Sequence, residues 1–214
     1  MKSKLLNLTL ALSLVTILSC TVNAYASDTP HYNMDTEKQL VEEKMEQYFK
    51  NPKPLEIDTK ENENMILARS SGDYPTRNGV ILVTTDKKDS GLPNGTGHAG
   101  IIYSGFGTIE SFPSGGVQRR VNDWSSRYDN VRGLSVRGTS SGQDGASSAW
   151  CNNQVGKSYN WAFTDTSTRN RFYCSHLVWS AFMDNCGVNL DDDGGIIYPI
   201  DLVISRNTSV VYAK

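Results

Sequence analysis

The sequence predicts an α+β fold in which a mostly antiparallel sheet carries helices packed on one side. Residues 79–85 form a nearly continuous run of β-branched and apolar side chains, which is typical of a buried strand. Residues 98–112 contain two strand-like segments around a Gly-Phe-Gly turn, which predicts a hairpin. Residues 172–185 carry apolar side chains at positions i, i+3, i+4, i+7 and i+8, which predicts one buried face of a helix.

The N-terminal residues 1–26 have the layout of a secretory signal peptide, because a basic start precedes an apolar run at residues 5–18. That run is too short to favour a membrane span. A small-x-small triplet ending at Ala26 predicts cleavage directly after it. Residues 17–19 also resemble a bacterial lipobox, which would make Cys20 a lipid anchor, although their middle Leu is less usual there. Both routes predict a protein that is secreted or held at the cell envelope.

Residues 27–74 are predicted to form an N-terminal helix and a tether. Apolar residues recur at helical spacing within residues 34–50, and the polar stretch at residues 54–74 shows no such period. A spacer, a docking arm and a lid are all compatible with this pattern. Residues 75–214 are predicted to form the single folded domain.

The remaining elements follow in order along this domain. Short strands are predicted at residues 117–121 and 131–137 and a helical turn at 123–128, then a helix at 141–155, an aromatic loop at 157–170, and closing strands at 198–205 and 209–212.

Composition excludes some classes of function. The net charge is −2 at pH 7 and no basic stripe occurs, so nucleic-acid binding has no electrostatic support. No Cys-x-x-Cys motif and no pair of histidines at helical spacing occurs, so neither a metal site nor a cofactor is predicted. Processing leaves Cys151, Cys174 and Cys186, an odd number that requires at least one free thiol. A disulfide between Cys151 and Cys186 would leave Cys174 free, but the sequence does not decide this pairing.

The segment Tyr-Cys-Ser-His places Cys174 two positions before His176. Residues two apart on a helix point to nearly opposite sides, so His176 is a poor base for Cys174 and is expected at the surface or rim. The first turn of a helix stabilises a thiolate, because its N–H groups are unpaired and the dipole is positive there. Cys174 is therefore a candidate nucleophile, with a small buried core residue as the alternative.

His98 is the preferred partner of Cys174. It opens a strand after a Gly-rich loop, where a rigid sheet can position a base, whereas His31 lies in a polar segment and is expected to be solvated. A histidine base also needs a group that orients its ring. Glu110 on the other strand of the predicted hairpin can supply it through a diagonal contact or a bulge. An outward-facing Glu110 is the alternative.

Four segments of the chain occur in an informative order. They are His98-Ala-Gly-Ile-Ile-Tyr, Ile109-Glu-Ser-Phe-Pro-Ser-Gly-Gly-Val, Gly156-Lys-Ser-Tyr-Asn-Trp and Tyr173-Cys-Ser-His-Leu-Val-Trp, with Pro199-Ile-Asp-Leu after them. In this order the chain resembles the circularly permuted NlpC-type papain-like cysteine hydrolases, a YiiX-like, cell-wall-associated group. The resemblance covers about residues 79–203. His176 departs from it, because Glu is frequent at that position, and this puts substrate preference in doubt.

The resemblance implies a permuted papain-like fold with Cys174 as nucleophile, His98 as base and Glu110 as orienting residue. Tyr173, Tyr159 and Trp161 become candidate substrate-binding residues, with core packing as their alternative. The implied reaction is hydrolysis of an amide bond through a thioacyl-enzyme, with a peptidoglycan peptide or related amide as substrate. A lipid-amide or acyl hydrolase, an acyltransferase and a non-catalytic wall-binding module remain alternatives. The oligomeric state is left open.

Overall fold

The computed structural model describes residues 33–62 and 72–214, and within them the predicted α+β class with a mostly antiparallel sheet is confirmed. The strands are β1 (Ile81–Thr84), β2 (His98–Ser104), β3 (Gly107–Phe112), β4 (Gly116–Val121), β5 (Arg132–Val136), β6 (Ser158–Tyr159), β7 (Arg171–Phe172) and β8 (Thr208–Ala213). The α-helices are α1 (Met34–Lys50), α2 (Trp124–Arg127), α3 (Ser141–Asn152), α4 (Cys174–Cys186) and α5 (Pro199–Ile204). Short 3-10 turns lie at Thr59–Asn62, Lys87–Asp89 and Pro93–Gly95.

Six strands form one antiparallel sheet in the order β4-β3-β2-β1-β5-β8, and β6 and β7 form a separate parallel pair. Side chains alternate between the two faces of the sheet. Ile81, Ile101 and Leu134 belong to the larger core, together with buried residues of α4 and α5. On the opposite face, Leu82 and Ile102 belong to a smaller core that includes Trp124 and Tyr128. The long helices therefore share one face, and the single turn of α2 covers the other.

Helix α4 forms as the apolar spacing predicts. Leu177, Val178, Ala181 and Phe182 are fully buried. The helix ends at Gly187, which adopts the left-handed conformation with φ of 65° and completes the cap. Because Phe172, Tyr173 and Cys174 are all buried, the N-terminal end of α4 lies inside the protein and not at its surface.

The predicted strand at residues 198–205 is wrong, since this segment contains helix α5. Pro199 occupies the first turn, where a missing N–H is tolerated. The Asp201 carboxylate accepts a hydrogen bond of 2.7 Å from the Tyr198 N–H and so caps the helix start. These two terminal signals outweigh the strand preference of the apolar residues that follow. The last strand, predicted at residues 209–212, is present as β8.

The described part of the N-terminal segment lies against the domain. In α1, the Lys44 ammonium is 2.6 Å from Asp201. After α1, the Glu56 N–H donates to the Val210 carbonyl at 2.7 Å, which places the chain beside β8. Lys60 then donates to the buried Asp144 at 3.2 Å. These contacts fit a docking arm better than a free spacer.

The signal peptide predicted at residues 1–26, and with it both processing sites, lies outside the described residues. The domain boundaries at residues 27, 74 and 75 stay predictions. In residues 33–62 and 72–214, every helix is too short or too polar to cross a bilayer.

Gly100 occupies the middle of β2, where the sheet leaves no room for a side chain. A Cβ atom there would lie 2.8 Å from Cγ of Glu110 and 3.0 Å from Cζ2 of Trp124. Gly145 in α3 offers a contrast, because no atom lies within 4 Å of the position that its Cβ would take.

We expect Gly100→Ala to lower the free energy of unfolding by about 1–3 kcal/mol, because a methyl group must displace closely packed side chains. Gly145→Ala is the matched control, and it should raise the free energy of unfolding by about 0.5–1 kcal/mol, because alanine favours the helix. Urea unfolding followed by circular dichroism measures both. Equal stability of the Gly100→Ala and native proteins would show that the Glu110 and Trp124 side chains are not held where the structure places them.

Candidate active site

Cys174 is the first residue of α4 and is only 1% exposed. Burial alone would raise the pKa of its thiol, but three features outweigh it. The His98 ring favours the thiolate by hydrogen bonding and charge, and the backbone N–H groups of Ala99 and Ser175 also favour it. The pKa of Cys174 is therefore below its ordinary value. This is the electrostatic condition for a nucleophilic cysteine at neutral pH.

His98 begins β2 and is completely buried. Its Nε2 atom donates to Oε2 of Glu110 over 2.9 Å. Burial opposes protonation, yet the hydrogen bonds and charges of Cys174 and Glu110 prevail and raise the pKa of His98 to about 9. Its Nδ1 atom has no partner with full hydrogen-bond geometry among the described residues. His98 is thus electrostatically coupled to Cys174 and Glu110, and its Nδ1 atom stays available to exchange a proton.

Glu110 reaches His98 diagonally across the hairpin. The register pairs Glu110 with Gly100, so His98 lies two residues along the neighbouring strand and on the same face of the sheet. Diagonal neighbours in antiparallel strands lie within reach of long side chains. Because Gly100 lacks a side chain, the Glu110 side chain can lie across Gly100 toward His98. The diagonal contact anticipated from the sequence is the one observed, and Glu110 does not face outward.

Three further donors bind the second oxygen of Glu110. Thr108 Oγ1 donates at 2.5 Å, Trp124 Nε1 at 3.0 Å and an Arg127 nitrogen at 2.6 Å. Burial would raise the pKa of Glu110, but His98, Arg127 and Thr108 lower it to about 2. The carboxylate therefore stays ionised in the interior. Of these donors, Thr108 could have been found from strand alternation, whereas nothing in the sequence signals Trp124 or Arg127.

Two aromatic rings flank the His98 imidazole. Phe112 stacks on it with ring centroids 4.6 Å apart, and Trp124 lies nearly parallel to it at 5.5 Å. Trp124 thus holds both members of the pair, since its indole N–H binds Glu110 while its ring lies against His98. This packing fixes the plane of the imidazole that the hydrogen bond alone would leave free to tilt.

The expectation that His176 lies at the surface or rim is wrong. Its side chain is buried beside the rings of Phe172, Tyr173 and Trp179. Its Nε2 atom is 3.0 Å from the Thr166 carbonyl oxygen, which links α4 to the aromatic loop. Burial lowers the pKa of His176 to about 4, so the ring is neutral at physiological pH. The helix geometry that separates it from Cys174 turns it inward against neighbouring rings.

The three predicted substrate-binding residues differ in their surroundings. Tyr159 is 5% exposed, and its hydroxyl has no hydrogen-bond partner in the part of the chain that the structure describes. Burial raises the pKa of Tyr159, and the nearby charge of Cys174 adds to this. Trp161 is 60% exposed and packs against Tyr159 with centroids 4.8 Å apart. Tyr159 therefore lies near the thiol and Trp161 packs against Tyr159, while substrate binding by either residue stays a prediction.

Tyr173 does not fit a substrate-binding role and corresponds to its alternative, core packing. The residue is fully buried. Its hydroxyl donates to the Phe163 carbonyl at 3.2 Å and accepts from the Ile197 N–H at 3.1 Å. Tyr173 is the residue directly before α4. Its ring is directed into the core, where it supports the start of the helix.

Cys151 and Cys186 are free thiols, so the disulfide considered from the sequence does not form. Cys151 is buried and lies 3.7 Å from the Leu177 carbonyl, while Cys186 lies 3.6 Å from the Ser147 hydroxyl. Burial raises the pKa of Cys151, in contrast to the lowered pKa of Cys174. Cys174 therefore has surroundings that activate a thiol, whereas Cys151 does not.

A group of three acidic side chains does not belong to the set of Cys174, His98 and Glu110. Carboxylate oxygens of Asp191, Asp193 and Asp201 lie within 4.8 Å of one another. The Lys44 ammonium lies 2.7 Å from Asp193 and 2.6 Å from Asp201. The cation that balances this cluster is thus a lysine of α1.

The fold and the site can now be compared with known proteins. The crystal structure of the metalloprotein YiiX from Escherichia coli O157:H7 matches with a TM-score of 0.53, over 65% of this chain and 99% of YiiX. At 13% sequence identity this likeness concerns the fold alone, so the chain has a YiiX-like fold. The circular permutation is not tested by this match and stays a prediction.

In sequence, YycO from Bacillus subtilis (strain 168), described as an uncharacterized protein, is a homologue. It is 33% identical over 121 residues, which are 54% of this chain and 48% of YycO. The chain thus spans about half the length of this relative. No protein-family model matches the chain.

We expect Glu110→Gln to lower the pKa of His98 from about 9 toward the ordinary value of 6.5, because the negative charge that stabilises the imidazolium is removed. Histidine ring signals in an NMR pH titration measure this. The raised pKa means that the interaction stabilises the fold fully below pH 6.5 and is lost as pH rises through about 9.

His176 provides an internal control in the same spectra, because its pKa of about 4 has other causes and should not move. If His98 titrates at the same pH in the native and Glu110→Gln proteins, the carboxylate does not set its charge.

Proposed function

We propose that the protein is a cysteine hydrolase that cleaves amide bonds through a thioacyl-enzyme. Cys174 is the nucleophile and His98 is the general base and acid. Glu110 orients the His98 ring and stabilises its protonated form. The observation that carries the proposal is the buried His98–Glu110 hydrogen bond with the buried Cys174 beside it, where the pKa of the thiol is lowered and the pKa of the imidazole is raised. A YiiX-like fold is consistent with a hydrolase.

In the acylation step, the Cys174 thiolate attacks the carbonyl carbon and a C–S bond forms, while the carbonyl π electrons move onto oxygen. The Ser175 N–H at the start of α4 already faces the sulfur and can stabilise the resulting oxyanion. The His98 imidazolium then donates its proton to the leaving nitrogen as the C–N bond breaks. A pKa of about 9 suits this step, because the ring enters the reaction protonated.

In the deacylation step, neutral His98 accepts a proton from water as the oxygen attacks the thioester carbonyl. The C–S bond then breaks, the carboxylic acid product leaves, and the thiolate and imidazolium are restored. Glu110 stays ionised throughout, since its pKa is about 2. Its role is to hold the ring and stabilise its charge, and it takes up no proton.

The buried charges argue against a non-catalytic wall-binding module. Glu110 and His98 are completely buried, and each ion removed from water costs several kcal/mol unless it is paired. A protein that only binds could replace the pair with apolar side chains at little cost or with a gain in stability. A reaction that uses Glu110, His98 and the Cys174 thiol explains why the protein contains all three.

YiiX is described as a metalloprotein, so a metal site in this chain needs a test against its residues. Among the described residues, one cluster has three or more His, Cys, Asp or Glu side chains close enough together to hold a metal ion. It consists of Asp191, Asp193 and Asp201. Lys44 already places an ammonium between two of these carboxylates, so the cluster does not fit a metal ion. No step of the proposed reaction passes through a metal.

The substrate and location extend the proposal. We infer a secreted or envelope-bound enzyme from the predicted signal peptide, with a cell-wall peptide or related amide as substrate and an optional lipid anchor at Cys20. Lipid amides are the competing substrates. Because the chain spans only about half of YycO, that relative does not define them.

We expect the full chain to release product from muropeptides, and Cys174→Ala to lose at least about 10³-fold in kcat, because the residual rate of a protein without its nucleophile is small. Mass spectrometry of a muropeptide digest and of an N-acyl lipid digest measures this. The matched control is Cys186→Ala, which removes a half-exposed thiol of the same helix and should retain activity.

Products from N-acyl lipids alone would assign the competing substrate class to the same site. Equal activity of the Cys174→Ala and native proteins on every amide would contradict the proposed function.

A further inference from the structure

A groove of about 480 Å³ lies beside the candidate active site. One wall is the loop after β1, and the other is the hairpin of β3 and β4. Its polar and aromatic lining includes Lys88, Asp89, Ser90, Phe112, Gln118 and Arg120. None of the groove's charged residues belongs to the proposed catalytic set, so the groove has no role in the chemistry described above.

The groove adjoins the catalytic residues through two contacts. Phe112 lines the groove and stacks on His98 at 4.6 Å. Gly91 is packed between the two sites, because a Cβ atom on it would lie 2.4 Å from both Pro113 Cγ and the Tyr159 hydroxyl. Tyr159 in turn lies close enough to Cys174 that the charge of Cys174 contributes to the raised pKa of Tyr159. One residue of loop backbone therefore separates the groove from the surroundings of the thiol.

The charge in the groove is positive. Lys88 and Arg120 are exposed cations, and no carboxylate lies within ion-pair distance of either among the described residues. The Arg120 guanidinium lies 5.3 Å from the centroid of the Phe112 ring, which leaves its N–H groups free for an anion. Asp89 is the opposing charge, but it accepts a hydrogen bond of 2.6 Å from the Tyr128 hydroxyl. One carboxylate against two cations leaves a net positive groove.

Ser90, which lines the groove, also carries an unsatisfied polar atom. The Ser90 hydroxyl oxygen is buried and has no hydrogen-bond partner in the part of the chain that the structure describes. A buried hydroxyl without a partner costs free energy, so a ligand that accepts its hydrogen bond would be favoured. Cations, an aromatic ring and a free hydroxyl together match an anionic group better than an apolar one.

We propose that this groove is the substrate subsite for an anionic group, a carboxylate or a phosphate, carried next to the scissile amide. Lys88 and Arg120 supply the charge, and Ser90 supplies a hydrogen bond. An anion held between them joins the loop to the hairpin and places the amide beside His98 and Cys174. The proposal rests on the proposed amide hydrolysis and adds that the preferred substrates are acidic.

The binding test uses the full chain with Cys174→Ala, which prevents turnover. Amide signals of Ser90 and Gln118 are followed by NMR during titration with glutarate, inorganic phosphate and neutral glutaramide. We expect shifts with the two anions and none with glutaramide. Tighter binding of glutarate assigns a carboxylate, and tighter binding of phosphate assigns a phosphoryl group. Replacing both cations, Lys88→Gln with Arg120→Gln, should weaken anion binding by roughly tenfold at low salt.

Arg119→Gln is the matched control. Arg119 is the adjacent arginine of β4 and donates to Asn152 at 2.7 Å, away from the groove. Its replacement should leave anion binding unchanged, although it removes the same charge. The proposal is overturned if no anion shifts the Ser90 or Gln118 signals, or if Arg119→Gln weakens anion binding as much as Lys88→Gln with Arg120→Gln does.

The kinetic test compares amide substrates that differ only in a Glu or Gln side chain beside the cleaved bond, or in phosphoserine or serine there. We expect higher kcat/KM for the acidic member, and loss of that preference in the Lys88→Gln, Arg120→Gln protein. Equal rates for both members in the native protein would overturn the subsite. Absence of cleavage of any amide would count against the proposed hydrolase, while the titration would still decide whether the groove binds anions.

Discussion

The structure of the site depends on one buried charge, the carboxylate of Glu110. Four donors surround it, from His98, Thr108, Trp124 and Arg127, and each comes from β2, β3 or α2. A buried carboxylate is stable only when its hydrogen-bonding capacity is filled, so these partners must keep their positions together. Cys174 and this carboxylate together raise the pKa of His98, and His98 with the Ala99 and Ser175 N–H groups lowers the pKa of Cys174. Glu110 therefore affects the thiol through His98.

Enclosure strengthens this arrangement and also limits access. Charges interact more strongly away from water, so a thiolate–imidazolium pair formed in the interior is held together more tightly than at the surface. Cys174 is only 1% exposed, however, and a substrate must reach its sulfur. Tyr159 lies near the thiol, because the charge of Cys174 contributes to the raised pKa of Tyr159, and Gly91 packs against the Tyr159 hydroxyl.

The parts of the fold that local interactions decide could be predicted from the sequence. The helix that begins at Cys174, its glycine cap and the hairpin that joins His98 to Glu110 each have a signal within a few residues. Trp124 and Arg127 could not be predicted, because they lie 14 and 17 positions beyond the carboxylate that they bind. Only the packing of α2 against the sheet brings them there.

Two predictions were wrong, and the sequence contained part of the physical reason for each. The start of α5 carried a proline and a capping aspartate, but the apolar residues after them favoured a strand. His176 was expected near solvent because it points away from Cys174, yet that side of α4 is covered by the aromatic loop. Helix geometry predicted which direction the ring points, while the burial depended on a long-range contact.

His98, and through it Glu110, stabilises the Cys174 thiolate and so lowers the pKa of Cys174 below its ordinary value. The ultraviolet absorbance of the thiolate, titrated with pH in the native protein and in Cys174→Ser, measures this without requiring a reagent to reach the buried sulfur. We expect the difference between the two proteins to appear below the ordinary pKa of a thiol, about 8.5. A difference that appears only above that value would show that His98 and Glu110 do not stabilise the thiolate.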